Sequence, residues 1–508
     1  MTNQQSNNPV QNVVIVGGGT AGWITAAAFS RVLVPQGYNV TLIESDAIGT
    51  VGVGEATIPP IRDFHRMLGI NEADFVKETQ ATFKLGIEFN GWSNPESRYF
   101  HPFGEYGRKL DSVQFHQYWQ RASSLTDCGE LSDFSLCSVA AYQGKFAPTS
   151  QDPESILSGI GYAYHFDASR YARFLRSYSE QRGVRRVEGK VVDVLQNANN
   201  GFIEGVQLES SDVIKGDFFI DCTGFAALLI SKTLNVEYED WSDLLPADSA
   251  VAVQCKKSST PIRPYTQTFA QDGGWRWRIP LQHRTGNGFV YSSKFTSDED
   301  AVSTLLAGLD GEPLSEPRKL KFRTGKRQQS WSHNCVAVGL SAGFLEPLES
   351  TSIHLIQTAV IRLLSMFPGK EFEPAQIQEY NQQVNDEVAF IRDFIILHYH
   401  LNDRPEPLWT YCREMSIPDS LAQKISLFKS RGHVVEAQYD LFKTASWVAV
   451  MRGQGVHPSY YDPMAESKPE KQLLGIMQEL KAAYQRASEA MPAHDEFIAQ
   501  HCQAAVPK

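Results

Sequence analysis

The run Asn12-Val-Val-Ile-Val16 is apolar, stops at three glycines, and gives way to an apolar-rich stretch that ends at Leu33. A short apolar run closed by glycine predicts a buried strand, and the longer stretch after it predicts a helix. Residues 38–45 (YNVTLIES) predict a second strand that ends in an acid. The pattern then loosens. Residues 55–80 read as loop and helices, and 81–92 (ATFKLGIEFNGW) as one strand. On that strand Lys84 and Glu88 share a face opposite Phe83, Leu85, Ile87 and Phe89. Helical spacing returns over 167–183, followed by strand-like runs at 184–196, 201–210 and 216–225 and a β-rich section over about 249–325. Within that section Gly274-Trp-Arg-Trp-Arg-Ile-Pro280 alternates. Both indoles fall on one face and both guanidinium groups on the other, and Pro280 ends the strand. Residues 334–364 read as strand, loop and long helix. Ile353, Ile356, Val360 and Leu364 recur at helical spacing, with Ser350 and Thr351 as capping residues. From 374 onward the pattern is mostly helical. No sequence period and no low-complexity linker interrupts the chain, which predicts modules wrapped together.

Composition narrows the partners. With 508 residues and 42% apolar content the chain can form two domains or one elaborated domain. A formal charge of −11 argues against nucleic acid. The seven cysteines are scattered, with no C-x-x-C and no metal-ligand spacing, and read as reduced buried thiols. The polar start lacks the regions of a signal peptide, and no apolar run approaches the ~20 residues of a membrane helix. These features predict a cytoplasmic protein with no metal and no membrane partner.

Gly17-x-Gly19-x-x-Gly22 follows an apolar strand, and Thr20 and Ala21 open the helix behind it. Glu44 ends the next strand, as the dinucleotide fingerprint requires. The glycines let the backbone approach a pyrophosphate at the positive helix start, and Glu44 can accept from ribose hydroxyls. After Glu44 the regular β–α alternation breaks, and later segments at 184–194 and 216–225 again look nucleotide-related. Such an interrupted first domain resembles FAD-dependent oxidoreductases and monooxygenases. Only one such glycine motif is present, so no second site for a nicotinamide cofactor is visible.

Further blocks make the resemblance specific. GGGTAGW (17–23), VGEATIP (53–59), FKLGIEFNGW (83–92), YHFDASRYARFL (164–175), GWRWRIP (274–280), FLEPLESTSIHL (344–355) and DFIILHYHLN (393–402) resemble, in order, the blocks of flavin-dependent halogenases of the tryptophan-halogenase type. The resemblance implies an α/β (α+β) flavin monooxygenase-like fold. Residues 1–373 would form the FAD-binding core with its inserted β-rich section, and 374–508 a helical substrate-side module. It also implies a sequence of reactions. Reduced FAD and O₂ give a C4a-hydroperoxide, halide attacks it to give hypohalous acid, and Lys84 presents the halogen to an aromatic ring. Glu349 orients the halogenating species or accepts the ring proton. FAD would lie against Gly17, Gly19, Thr20, Ala21, Gly22, Glu44, Glu55, Ala56, Val191 and Phe344. Halide would sit on the N–H groups of Thr351 and Ser352, where many relatives carry glycine at the second position. Trp275, Trp277, Ile279 and Pro280 would line the passage from flavin to substrate, with His101, Phe103 and Trp447 at the ring. A separate NADH-dependent flavin reductase would supply reduced FAD, and a homodimer is compatible with the family.

The paired tyrosines and glutamate that clamp free tryptophan in the family have no match, since Tyr460 and Tyr461 come too late in the chain. A more open pocket for indole or an indole derivative follows. Chloride and bromide both stay open, bromide being easier to oxidise. Without the resemblance, Lys84 and Glu88 read as a solvated strand face, Trp275 and Trp277 as packed aromatics, and PLEST as an acidic helix start. The competing enzyme class is a flavin-dependent aromatic hydroxylase. Against it, Leu340-Ser341 follows Gly339 where such enzymes show Gly-Asp, and Lys84 and the tryptophan block have no role there. A non-catalytic flavoprotein is a third reading, which would not need Lys84 and Glu349.

Overall fold

In the computed structural model the described residues are 10–48, 55–108, 111–257, 261–369, 371–438 and 440–505. The elements that position the site are, in chain order, β1 (Asn12–Val16), α1 (Thr20–Val32), β2 (Asn39–Glu44), β3 (Thr82–Lys84), β4 (Gly86–Asn90), β5 (Arg98–Pro102), β6 (Phe218–Asp221), β7 (Ser249–Lys256), β8 (Thr266–Gln271), β9 (Gly274–Pro280), β10 (Arg284–Tyr291), α2 (Ser352–Ser365), α3 (Pro374–His400) and α4 (Thr444–Gly453).

Val13–Val16 are buried because β1 lies in the middle of a six-stranded sheet with parallel neighbours on both sides. A strand covered on both faces needs a continuous apolar run. The sheet order is Trp331–Ser332, Cys335–Ala337, β6, β1, β2, Arg185–Glu188. The chain leaves this sheet after β2 and returns only at Arg185, which is the interruption visible in the sequence. The run 184–196 is not one strand: Arg185–Glu188 stays here, while Val191–Gln196 joins a separate three-stranded sheet with Ile203–Leu208 and Val213–Lys215.

The β-rich section builds a seven-stranded sheet in the order Arg318–Lys321, β7, β10, β9, β8, β4, β5. It also contains a helix, Asp298–Ala307, capped where Ser297 Oγ accepts the Asp300 N–H at 3.1 Å. In β9 the alternation holds. Trp275 and Trp277 are buried on one face, while Arg276 and Arg278 lie over the ring of Phe269 at 5.2 and 5.4 Å. The strand ends at Pro280.

The predicted strand 81–92 breaks at Leu85. Its N–H donates to the Pro264 carbonyl at 2.7 Å and its carbonyl accepts from the Phe103 N–H at 2.9 Å, so Leu85 leaves the ladder. β3 then pairs with Ala163–Phe166 in a small sheet of its own, and β4 enters the seven-stranded sheet. Lys84 and Glu88 therefore share no solvated face. Both are buried, and Glu88 is held by Arg98 and by Gln267 Nε2 at 2.8 Å. Residues 98–102, which carry His101, form the edge strand β5.

α3 begins with Pro374 in its first turn, which the missing N–H permits, and runs 27 residues. Its last turns are buried together with α4 and the inner face of the seven-stranded sheet in one apolar cluster. Among the described residues no helix is long and apolar enough to cross a membrane.

Candidate active site

At the mouth of β1 the turn into α1 needs glycine for a stated reason. Gly17 has φ +112°, and a Cβ there would stand 2.2 Å from the Cys222 carbonyl. A Cβ on Gly19 would meet nothing within 4 Å, so the start of α1 faces open space. That space is a cavity of about 730 Å³. Gly17, Gly19, Thr20, Ala21, Glu44, Val191, Phe344 and Ser352 line it, and so does Trp277. A space of this size lined by the glycine turn, the start of α1 and an acid fits FAD. Glu44 also accepts from Arg186 Nε at 2.5 Å and from Trp23 Nε1 at 3.2 Å, which orients it. Gly22 and Ala56 stand outside the lining. Gly22 faces the Gly17 carbonyl, and Ala56 belongs to a two-residue strand paired with Ala163–Phe166. The side chain of Glu55, and Val53 and Gly54 before it, lie outside the described residues.

Beyond this cavity is a second, dry constellation. Lys84, 0% exposed, donates from Nζ to Ser350 Oγ at 2.9 Å and to the Thr57 carbonyl at 3.0 Å, with the Phe103 ring 4.9 Å away. Burial lowers its pKa to about 7, against the opposing pull of Glu349. Ser350 has φ +60°, a left-handed conformation that turns its hydroxyl toward Lys84. It does not cap α2. Thr351 occupies the capping position without a side-chain bond, and its buried Oγ1 has no partner among the described residues. The first N–H groups of α2 are thus left without a side-chain acceptor.

Glu349 is enclosed between two imidazoles. His101 Nδ1 lies 3.0 Å from both carboxylate oxygens, and His398 Nε2 lies 2.9 Å from Oε1. Burial pushes this carboxyl up, but the two histidines outweigh it and hold its pKa at about 2. Phe394 and Phe442 stack at 3.9 Å beside His101, and Trp447 packs edge-on against Phe394 at 4.9 Å. Trp447 is fully buried and capped by Lys424 Nζ at 4.3 Å, so its nearest link to the constellation is through Phe394.

Trp275 and Trp277 stand near both spaces, ring centroids 6.0 Å apart. Trp277 borders the large cavity and lies over Gly288 of the next strand, where a Cβ would meet its ring at 2.0 Å. Trp275 turns toward the Glu349 segment. Its Nε1 donates to Glu346 Oε1 at 2.9 Å, and Tyr399 Oη donates to the same oxygen at 2.7 Å. Burial raises the Glu346 pKa to about 7 despite those two donors. Ile279 is buried farther along β9, and the Pro280 carbonyl accepts from Thr82 Oγ1 at 2.7 Å.

Lys84, His101, Phe103 and Glu349, distant in sequence, thus converge. Glu346, Phe394, His398, Tyr399 and Phe442 join them without having been singled out. Four of these five lie within or beside two quoted blocks, but an apolar run such as DFIILHYHLN carries no sign of which polar member faces an acid. Tyr460 is 65% exposed and Tyr461 contacts Glu466, so neither reaches this constellation.

A dinucleotide cradle, an uncapped helix start beside it and a fully buried lysine amine fit a flavin-dependent oxidoreductase. More closely, the chain belongs to the tryptophan halogenase family, whose profile matches residues 12–470. The tryptophan 6-halogenase SttH of Streptomyces toxytricini is 36% identical over 477 residues, covering 89% of this chain and 90% of the relative. Among solved structures, Xcc4156, a flavin-dependent halogenase from Xanthomonas campestris, superposes with a TM-score of 0.95 at 45% identity, covering 98% of this chain and all of the other. BrvH, a flavin-dependent halogenase from Brevundimonas sp. BAL3, gives 0.93 at 42%, covering 97% and 99%. Enzymes of this family are oxidoreductases that work with reduced FAD, O₂ and a halide.

Proposed function

We propose that this chain halogenates an electron-rich aromatic, an indole or indole derivative, and that Lys84 hands over the halogen. The observation that carries the reading is a fully enclosed lysine amine held between Ser350 and Thr57, in the segment next to Glu349. Reduced FAD with O₂ supplies the two-electron oxidation that turns chloride or bromide into hypohalous acid. The N–H groups of Thr351 and Ser352 hold the halide at the start of α2, and Ser352 lines the FAD cavity. Trp275 and Trp277 keep the organic substrate from that cavity.

Lys84 carries the halogen either hydrogen-bonded as hypohalous acid or on its nitrogen. A dry site that favours the neutral amine leaves a lone pair for either role. As the new carbon–halogen bond forms, the bond holding the halogen breaks and its electron pair stays behind. The ring then loses its proton to Glu349, and the C–H electron pair restores aromaticity. His101 and Phe103 set the ring, with Trp447 supporting the aromatic side. No clamp for the amino and carboxylate groups of free tryptophan is matched, which favours indole. With a single glycine motif, reduced FAD comes from a separate NADH-dependent reductase.

The test is an assay of the protein with FAD, a flavin reductase and NADH, run on indole and on free tryptophan with chloride and with bromide. A halogen isotope pattern on indole and not on tryptophan is expected. Halogenation of tryptophan alone would refute the open pocket. Gain of one oxygen without halogen would refute the activity.

A further inference from the structure

His398 lies near the end of α3, with Nδ1 2.8 Å from the Phe394 carbonyl one turn back. A carbonyl oxygen only accepts, so Nδ1 carries a hydrogen. A neutral imidazole has one such hydrogen, which would leave Nε2 as a bare lone pair. Yet Nε2 lies 2.9 Å from Glu349 Oε1, both side chains are fully enclosed, and Nε2 has no other partner among the described residues. A lone pair held against a carboxylate in a dry site is repulsive, and a proton at Nε2 reverses the sign. The contact has the distance of an ion pair without the in-line geometry of a hydrogen bond, so what it supplies is charge. His101 carries no such constraint, because its Nδ1–H can donate to Glu349 from a neutral ring.

We infer that His398 is an imidazolium paired with the Glu349 carboxylate, and that this pairing weakens the pull of Glu349 on Lys84 so that burial can keep the amine neutral. The inference rests on the proposed role of Lys84. A lone buried carboxylate helps to hold a proton on that amine, and an imidazolium paired with the carboxylate offsets that pull. His398 thus acts through Glu349 as a positioning residue. The neighbours facing its ring are Phe89 and Trp92 from the strand β4 and its following turn and Phe394 from its own helix, none of them ionisable. Gln454 Nε2 donates to its backbone carbonyl at 2.6 Å. The ionisable groups around Glu349 are His101, Lys84 and Tyr99, whose buried hydroxyl is kept neutral by burial and by Glu349 itself. Asp393, next to Phe394 on the helix, is turned into contacts with Arg392 at 2.7 Å and Ser420 at 2.5 Å.

The test is nitrogen-15 NMR of the wild-type protein labelled at histidine. His398 is assigned from whichever of His398→Gln and His398→Asn folds. Both ring nitrogens of His398 should report as protonated at pH 7, and an unprotonated Nε2 would overturn the inference. In single turnovers with reduced FAD, indole and bromide, His398→Gln should move the rising limb of the pH profile up by about one pH unit. Its deficit of about fivefold at pH 7 should close by pH 9. A deficit of equal size at every pH would reduce His398 to packing. Absence of product from the wild type would refute the proposed activity and leave the NMR result readable on its own.

Discussion

Replacing Lys84 by methionine should make the protein more stable at pH 6.5 and leave it unchanged at pH 9. Lys84 is fully buried, and burial, opposed by Glu349, lowers its pKa from 10.5 to about 7. Between those two values the unfolded chain binds a proton that the folded one does not, so folding stability rises with pH across that window. Each pH unit is about 1.4 kcal/mol, so below pH 7 the charge costs the fold about 5 kcal/mol. Methionine fills similar space without the charge, but strands the Thr57 carbonyl and the Ser350 hydroxyl, at a loss of about 2 kcal/mol. The balance is a gain of about 3 kcal/mol at pH 6.5. At pH 9 the charge costs only about 2 kcal/mol, which the stranded acceptors offset. Urea-unfolding midpoints of the cofactor-free protein and the variant at the two pH values measure this directly. A variant that is equally stable or weaker at pH 6.5, or a difference that ignores pH, would refute the buried-amine reasoning.

Further expectations concern neighbouring residues. Glu349→Gln should slow product formation by roughly 100-fold or more while FAD affinity, read by fluorescence titration, stays unchanged. The Glu346 carboxyl, raised to about 7, keeps its proton in the fold from pH 4.5 to 7 while the unfolded chain releases it, so stability falls across that window. Glu346→Gln preserves the acceptor for Trp275 and Tyr399, and its stability from urea unfolding should exceed the wild type at pH 8, by up to about 3 kcal/mol, and match it at pH 4. Gly288→Val would drive the Trp277 ring toward the cavity, and should weaken FAD binding about tenfold for each ~1.4 kcal/mol of overpacking.

How much of this is legible in the sequence follows from how local each cause is. The dinucleotide loop needs only a strand, three glycines and an acid within one β–α–β unit, and all lie within residues 12–44. Alternation in GWRWRIP likewise puts the two indoles together without outside help. Lys84 is different. Period-two alternation puts it on a polar face with Glu88, and only the distant backbone of Pro264 and Phe103 breaks the strand at Leu85 and encloses the amine. His398 lies in a run that is apolar almost all round, so no helical stripe marks which side faces Glu349. Glu346 reads as one more acid before a helix, and its burial comes from Trp275 and Tyr399, which the topology of β9 and α3 supplies. Even the capping reading of Ser350 fails on a positive φ that no residue pattern announces.

The most direct measurement is mass spectrometry of the product formed from indole and bromide by the wild type and by Lys84→Met, each supplied with reduced FAD and O₂ and each consuming O₂ at the same rate. The account predicts bromoindole from the wild type and none from the variant. Bromoindole from Lys84→Met at a rate near the wild type would contradict it.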